Sequence, residues 1–142
     1  MEPEILPIND EKKERLDRLS DDYWVIDNAP VGVTKRKLEE LAKRMKISMR
    51  AMAKLLRVSE RTLSRYGQEK LLKEPVSEHI LQIERAVDVG EDVFGDPERF
   101  LRWLKDSCEA LGGKVPIKLL GSITGARLVR DELVRIDYGV PY

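Results

Sequence analysis

"SMRAMAKLLRVSERTLSRYG", Ser48 to Gly67, is the stretch that decides the fold. Ser48 suits an N-cap, because its hydroxyl can accept a hydrogen bond from a backbone N–H of the first turn. After it, Met49, Met52, Ala53 and Leu56 recur at i, i+3, i+4 and i+7, which places them on one side of a helix. Ser59 can cap a further helix bearing Leu63 and Tyr66, closed by Gly67. The two helices carry a small Ala53 where they would cross, an apolar turn residue, Val58, five residues later and an apolar Leu63 ten later. A side chain larger than Ala53 would hold the helices apart, while Val58 and Leu63 fill the angle between them. This is helix-turn-helix spacing. Glu60, Arg61, Thr62, Ser64 and Arg65 then begin the second helix, whose N-terminal half can reach base edges and phosphates. Arg50, Arg57 and Ser59 flank it as further DNA-facing candidates. The position four after Ala53, where glycine often supplies a positive φ, is Arg57, so a strained or differently shaped turn is expected. The same motif also serves as a dimerisation or packing module, and both uses stay open.

Charge sorts along the chain in the same way. The whole sequence of 142 residues is formally neutral, with 26 basic and 26 acidic side chains. Residues 35–70 nevertheless hold twelve basic against four acidic residues, a net +8, while residues 1–34 are at −5 and residues 71–142 at −3. A basic module between two acidic ones can attract phosphate locally through counterion release. A solvated helical face would have the same composition.

Outward from the motif, "KRKLEELAKRM" follows Thr34 as a capped helix, with Leu38, Leu41, Ala42 and Met45 on one face. "NDEKKERLDRLSDDYW" reads as a short helix carrying Leu16, Leu19 and Trp24, and "DNAPVGV" as the turn after it. On the other side Pro75 is expected to break the preceding helix and Ser77 to cap a long helix through Ile80, Ile83, Ala86, Val87 and Val93, with Gly90 weakening its continuity. Asp96 and Pro97 open a further helix bearing Phe100, Leu101, Trp103 and Leu104, with Trp103 expected as a core anchor. Gly112 and Gly113 permit a reversal, Pro116 starts a short helix, and Ser122 or Thr124 starts a last one whose face is Ala126, Val129 and Leu133, continued by Ile136. The fold class is therefore all-α.

The C-terminal third is the most specific region. "VFGD" at Val93 to Asp96, "ALGG-x-x-P-x-x-LL" at Ala110 to Leu120, "GAR-x-V-x-x-x-L" at Gly125 to Leu133 and "YGV" at Tyr138 to Val140 occur in order. In these motifs the chain resembles the Xre/MbcA/ParS-type antitoxins, whose C-terminal domain binds RES-domain toxins. The helix-turn-helix matches that family's Xre-like N-terminal domain more loosely. The resemblance implies a two-part antitoxin: residues 1–33 as an acidic arm with a short helix, 34–74 as an Xre-like helix-turn-helix domain, and 75–142 as a small helical toxin-binding domain with an inhibitory tail; a cytoplasmic location is expected separately, from the acidic first thirty residues and the lack of a long apolar run. It implies a cognate toxin that degrades NAD or transfers ADP-ribose from it, operator DNA, and a homodimer within a larger toxin–antitoxin assembly. Carried over by motif position, the toxin contacts are Leu111, Gly112 and Gly113 in the turn, Arg127 and Arg130 on the last helix, and Tyr138, Gly139, Val140, Pro141 and Tyr142 in the tail. Tyr138 and Tyr142 would stack where a base or nicotinamide lies, Pro141 would lower the entropy lost on ordering, and the Tyr142 carboxylate would meet cations that otherwise hold pyrophosphate. Leu111 and the glycines can equally serve the fold, Arg127 and Arg130 can equally be solvated, and the tail can instead pack on its own core.

Other classes find less support. A lone Cys108 and a lone His79 sit in no metal or nucleophile spacing, and there is no phosphate loop, so neither an enzyme nor a cofactor is expected. No apolar run of about 18 residues suggests a membrane partner. A stand-alone helix-turn-helix transcriptional regulator is the competing reading, and it differs by binding DNA without a protein partner.

Overall fold

The computed structural model describes residues 22–137. Its elements are α1 (Asp22–Asn28), α2 (Lys35–Met45), α3 (Met49–Leu56), α4 (Glu60–Ser64), α5 (Glu74–Phe94), α6 (Pro97–Leu104), a 3-10 turn (Glu109–Leu111), α7 (Pro116–Leu119) and α8 (Ile123–Asp137). Among the described residues there is no strand, only isolated bridges of Thr34 with Leu71 and Cys108 with Lys114. The chain is all-α, as the sequence predicts.

The helix starts follow local chemistry. The side chains of Thr34, Ser48, Ser59 and Asp96 accept hydrogen bonds from the backbone N–H of Lys37, Ala51, Thr62 and Glu98, each satisfying a first-turn donor. Two helix ends are made without glycine. Lys46 and Arg57 take φ of 53° and 57°, and their N–H groups close on carbonyls of α2 and α3.

α5 runs through the middle, against α8 on one side and α1, α2, α3 and α6 elsewhere. Its buried Ile80, Ile83, Ala86, Val87 and Val89 join Leu38, Leu41 and Met45 of α2, Met52 and Ala53 of α3, and Ala126, Val129 and Leu133 of α8 in one apolar core. The helix-turn-helix and the C-terminal helices are thereby held by shared burial, the dominant favourable term in folding. Among the described residues no helix is long and apolar enough to cross a membrane.

Several details depart from the sequence expectations. α5 begins at Glu74, with Pro75 in its first turn, where the missing N–H costs nothing. Ser77 is not its cap: the buried hydroxyl accepts from Val33 N at 3.0 Å and donates to Leu72 O at 3.0 Å, satisfying loop backbone that has no other solvent. α5 is continuous through Gly90. α4 stops at Ser64, leaving Tyr66 beyond it, half-buried against the core. Trp103 is likewise half-buried, 6.0 Å from Phe94 and 6.4 Å from Phe100 between ring centroids, so it closes a corner of the core. Trp24 is 36% exposed on α1, and Leu16 and Leu19 of the expected first helix lie outside the described residues.

Candidate functional site

The α3–α4 pair is built as the spacing requires. Ala53 is 2% and Leu63 3% exposed where the helices meet, and Val58 is half-buried in the turn between them. That packing turns the other face outward, so Arg50, Arg57, Ser59, Glu60, Arg61, Thr62, Ser64 and Arg65 are all exposed. The three hydroxyls are already engaged locally. Ser59 Oγ accepts from Thr62 N at 2.9 Å and shares a hydrogen bond with Thr62 Oγ1, while Ser64 Oγ donates to Arg61 O at 2.8 Å. They shape the short helix and leave the arginines to reach outward.

The fold also sorts the charge of residues 35–70. Two cations of α2 are turned towards the acids of α5: Lys37 lies 3.2 Å from Glu84, and Arg44 lies 2.6 Å from Asp88 and 3.1 Å from Glu91. Burial disfavours the charged form of Arg44, but hydrogen bonds and attraction from Glu91 and Asp88 outweigh that and raise its pKa. Burial raises the Glu84 carboxyl, with Lys37 opposing the shift. Arg36 pairs with Glu69 near the surface. Among the described residues no ion pair neutralises Arg50, Lys54, Arg57, Arg61 or Arg65. Lys43 and Lys46 at the end of α2 are likewise exposed with no ion pair among the described residues, so the unneutralised charge runs from the end of α2 over α3 and α4, and Lys54, which the motif reading passed over, belongs to it. Being four residues after Arg50 on one helix was the available signal.

The second region is assembled from the 3-10 turn and α8, which pack together. Leu111 is half-buried, and Gly112 and Gly113 are exposed with φ of 72° and 76°. A Cβ at either would meet nothing within 4 Å, so it is the backbone conformation, not space, that selects glycine there. Gly113 N donates to Cys108 O at 2.9 Å and Cys108 N to Lys114 O at 3.0 Å, closing the reversal. Ser122 Oγ accepts from Gly125 N at 2.9 Å, so of the two candidates Ser122 caps α8.

The two arginines of α8 separate. Arg127 is exposed. Arg130 is 4% exposed and faces α5, with Nη1 3.4 Å from Gln82 Oε1 and Nη2 3.4 Å from Asp131 Oδ1. Beside Arg127, Leu128 is 51% exposed, an apolar surface residue that a search for the buried stripe Ala126, Val129 and Leu133 passes over. Tyr138, Gly139, Val140, Pro141 and Tyr142 lie outside the described residues.

His79 links the two regions. It is 8% exposed, and its Nε2 lies 2.8 Å from the carbonyl of Leu120, between α7 and α8. Burial lowers its pKa, the hydrogen bond to Leu120 opposes this, and the positive charge of Arg57 lowers it further. The neutral ring must then carry its proton on Nε2 to donate to that carbonyl. Among the described residues no group of three or more His, Cys, Asp or Glu side chains is placed to hold a metal ion.

Comparison with known proteins places both regions. Residues 25–85 match the family model "antitoxin Xre-like helix-turn-helix domain", and residues 89–139 match "antitoxin Xre/MbcA/ParS C-terminal toxin-binding domain". The chain is similar to the curated protein "Antitoxin Xre" of Yersinia enterocolitica, 35% identical over 65 residues, which are 45% of this chain and 44% of that protein. The match thus spans less than half the length of that relative. On one chain, then, a match to the Xre-like antitoxin helix-turn-helix domain is followed in order by a match to the antitoxin C-terminal toxin-binding domain, the two halves of an Xre-type antitoxin.

Proposed function

We propose that this chain is the antitoxin of a type II toxin–antitoxin pair, acting in the cytoplasm on a RES-domain toxin that degrades NAD or transfers ADP-ribose from it. The observation that carries the reading is the order of two antitoxin-family matches on one chain, the first over an exposed cationic helix pair. In this reading residues 34–74 are the DNA-directed part and residues 75–142 the toxin-directed part, with residues 1–33 as an acidic arm. Leu111, Gly112, Gly113 and Arg127 form the platform against which the toxin docks. Tyr138, Gly139, Val140, Pro141 and Tyr142, which follow directly on α8, enter or cover its active site, where the tyrosines offer flat apolar area at low entropy cost. Arg130, held against Gln82, positions α8 from within and is not a surface contact.

Two copies on an operator would repress the operon, with Arg61 and Arg65 at base edges and phosphates and Arg50, Lys54 and Arg57 at the flanking backbone. The deciding experiment is co-expression with the toxin encoded beside this gene, followed by NAD measurement. The full chain should restore NAD, and a chain lacking Tyr138 to Tyr142 should bind the toxin yet fail to restore it. Full protection by the shortened chain would overturn the tail mechanism. Specific DNA binding with no toxin capture would favour a stand-alone regulator.

A further inference from the structure

Between α3 and α7 lies a groove of about 450 Å³ that shares only Lys54 and Arg57 with the proposed DNA face and no residue with the proposed toxin platform. Its floor is apolar, made by Ile47, Leu55 and Ile117, each only partly buried, with Gly121 at one side. Its rim carries the exposed cations Lys54, Arg57 and Lys118, and no carboxylate lines it. A DNA phosphate could meet the rim but would leave the floor wet. An apolar floor under a cationic rim fits a short polypeptide segment whose aliphatic side chains are flanked by carboxylates.

This chain contains such a segment. "EPEILPINDE", Glu2 to Glu11, outside the described residues, carries Ile5, Leu6 and Ile8 between Glu2 and Glu4 on one side and Asp10 and Glu11 on the other, with no basic residue. Pro3 and Pro7 restrict its backbone, which reduces the entropy lost when it is ordered. The intervening residues 12–21 can span roughly 33 Å when extended, more than twice the radius of gyration of about 14 Å expected for a chain this long. Tethering makes the encounter intramolecular, so modest contact area suffices.

We infer that residues 2–11 seat in the α3–α7 groove of their own chain, Ile5, Leu6 and Ile8 on the floor and the carboxylates against Lys54, Arg57 and Lys118. Seated there, the segment neutralises Lys54 and Arg57 and competes with DNA for them. That consequence rests on the DNA-binding reading, whereas the seating does not.

The test uses the full-length protein labelled with ¹⁵N, comparing wild type with the I5S/L6S/I8S variant. The amide resonances of Ala51, Leu55, Ile117 and Gly121 should move, those of the α5–α8 core should not, and the wild-type positions should be unchanged by fiftyfold dilution. K54E/K118E should release the segment, shifting the amides of residues 2–11, and adding E2K/E4K should restore them. Unmoved groove resonances, or failed restoration, overturn the seating. A dilution-dependent wild-type spectrum also overturns it, by assigning the groove to a second copy. Binding to a DNA duplex of arbitrary sequence at low salt should tighten about three- to tenfold in I5S/L6S/I8S. Equal affinity overturns the competition, and no DNA binding by either protein defeats the DNA reading while the resonances still decide the seating.

Discussion

Gly90 of α5 lies directly beneath the ring of Phe100 of α6: a Cβ built on Gly90 would come within 2.0 Å of Phe100 Cε1 and 2.4 Å of Cδ1. Phe100 is itself 1% exposed and within ring contact of Phe94 and Trp103, so it has little room to retreat. The glycine that threatens helix continuity in the sequence is thus the site where α6 approaches α5. Alanine there would gain about 1 kcal/mol in helix propensity but overpack the core at a cost of about 1–3 kcal/mol. Gly90→Ala should therefore lower the urea midpoint. Phe100→Leu in that background should cost less than it does alone, since it relieves the clash. Additive losses would show that the ring yields freely.

Gly125 makes a tighter demand. Its Cβ would sit 1.8 Å from the carbonyl oxygen of Leu119, a backbone atom that cannot move without moving α7. Gly125→Ala should cost at least the upper part of the about 1–3 kcal/mol typical of overpacking. Thermal unfolding reads the loss, and a melting temperature equal to wild type would mean that α8 does not sit this close on α7.

Acidification should expose His79. Its folded pKa lies below the ordinary histidine value of 6.5, so on lowering the pH the unfolded chain takes up this proton first. The stability it contributes is present above about pH 6.5 and is lost as the pH falls through the folded pKa. Glu84 has the opposite sign. Its folded pKa is raised above 4.5, so its contribution is present below that value and lost as the pH rises through the folded pKa. His79→Gln keeps a donor for Leu120 O but does not titrate, which isolates the histidine. The variant should lose less stability than wild type between pH 7 and 5.5 in thermal melts. Parallel losses would mean that His79 titrates alike in both states.

What could be read from the sequence was local. Thr34, Ser48, Ser59 and Asp96 cap because a short polar side chain before an apolar-periodic run has few other uses, and Ala53 and Leu63 declare the crossing of α3 and α4 by size and spacing. What escaped was set by distant partners. Whether Ser77 caps a helix or links buried loops depends on Val33 and Leu72 being beside it. Whether Arg44 adds to a basic surface depends on Asp88 and Glu91, more than forty residues away. Arg127 and Arg130, three apart in one motif, read alike until α5 places Gln82 against the second. Lys118 joins Lys54 and Arg57 only because α7 lies across α3, a juxtaposition that no spacing encodes.

Arg57 sets stability against charge at a single position, and one substitution separates them. It takes φ 57° and ψ 37° at the end of α3, a conformation that costs a residue with a Cβ about 1–2 kcal/mol. Its N–H closes on the carbonyls of Ala53 and Lys54, a bond that glycine makes equally well. Glycine gives back part of the gain through its larger freedom in the unfolded chain, so Arg57→Gly should stabilise by about 0.5–1 kcal/mol. The same change removes a cation from the face proposed to meet DNA and from the rim of the α3–α7 groove. If Arg57 contacts a phosphate, affinity for a DNA duplex should fall, and the slope of log affinity against log salt should shrink by about 0.9. Chemical unfolding and a salt titration of binding measure the two effects on one preparation. A variant that gains stability and keeps its salt slope would place Arg57 off the DNA. One that loses stability would mean that contacts of the arginine side chain outweigh the strain of its backbone.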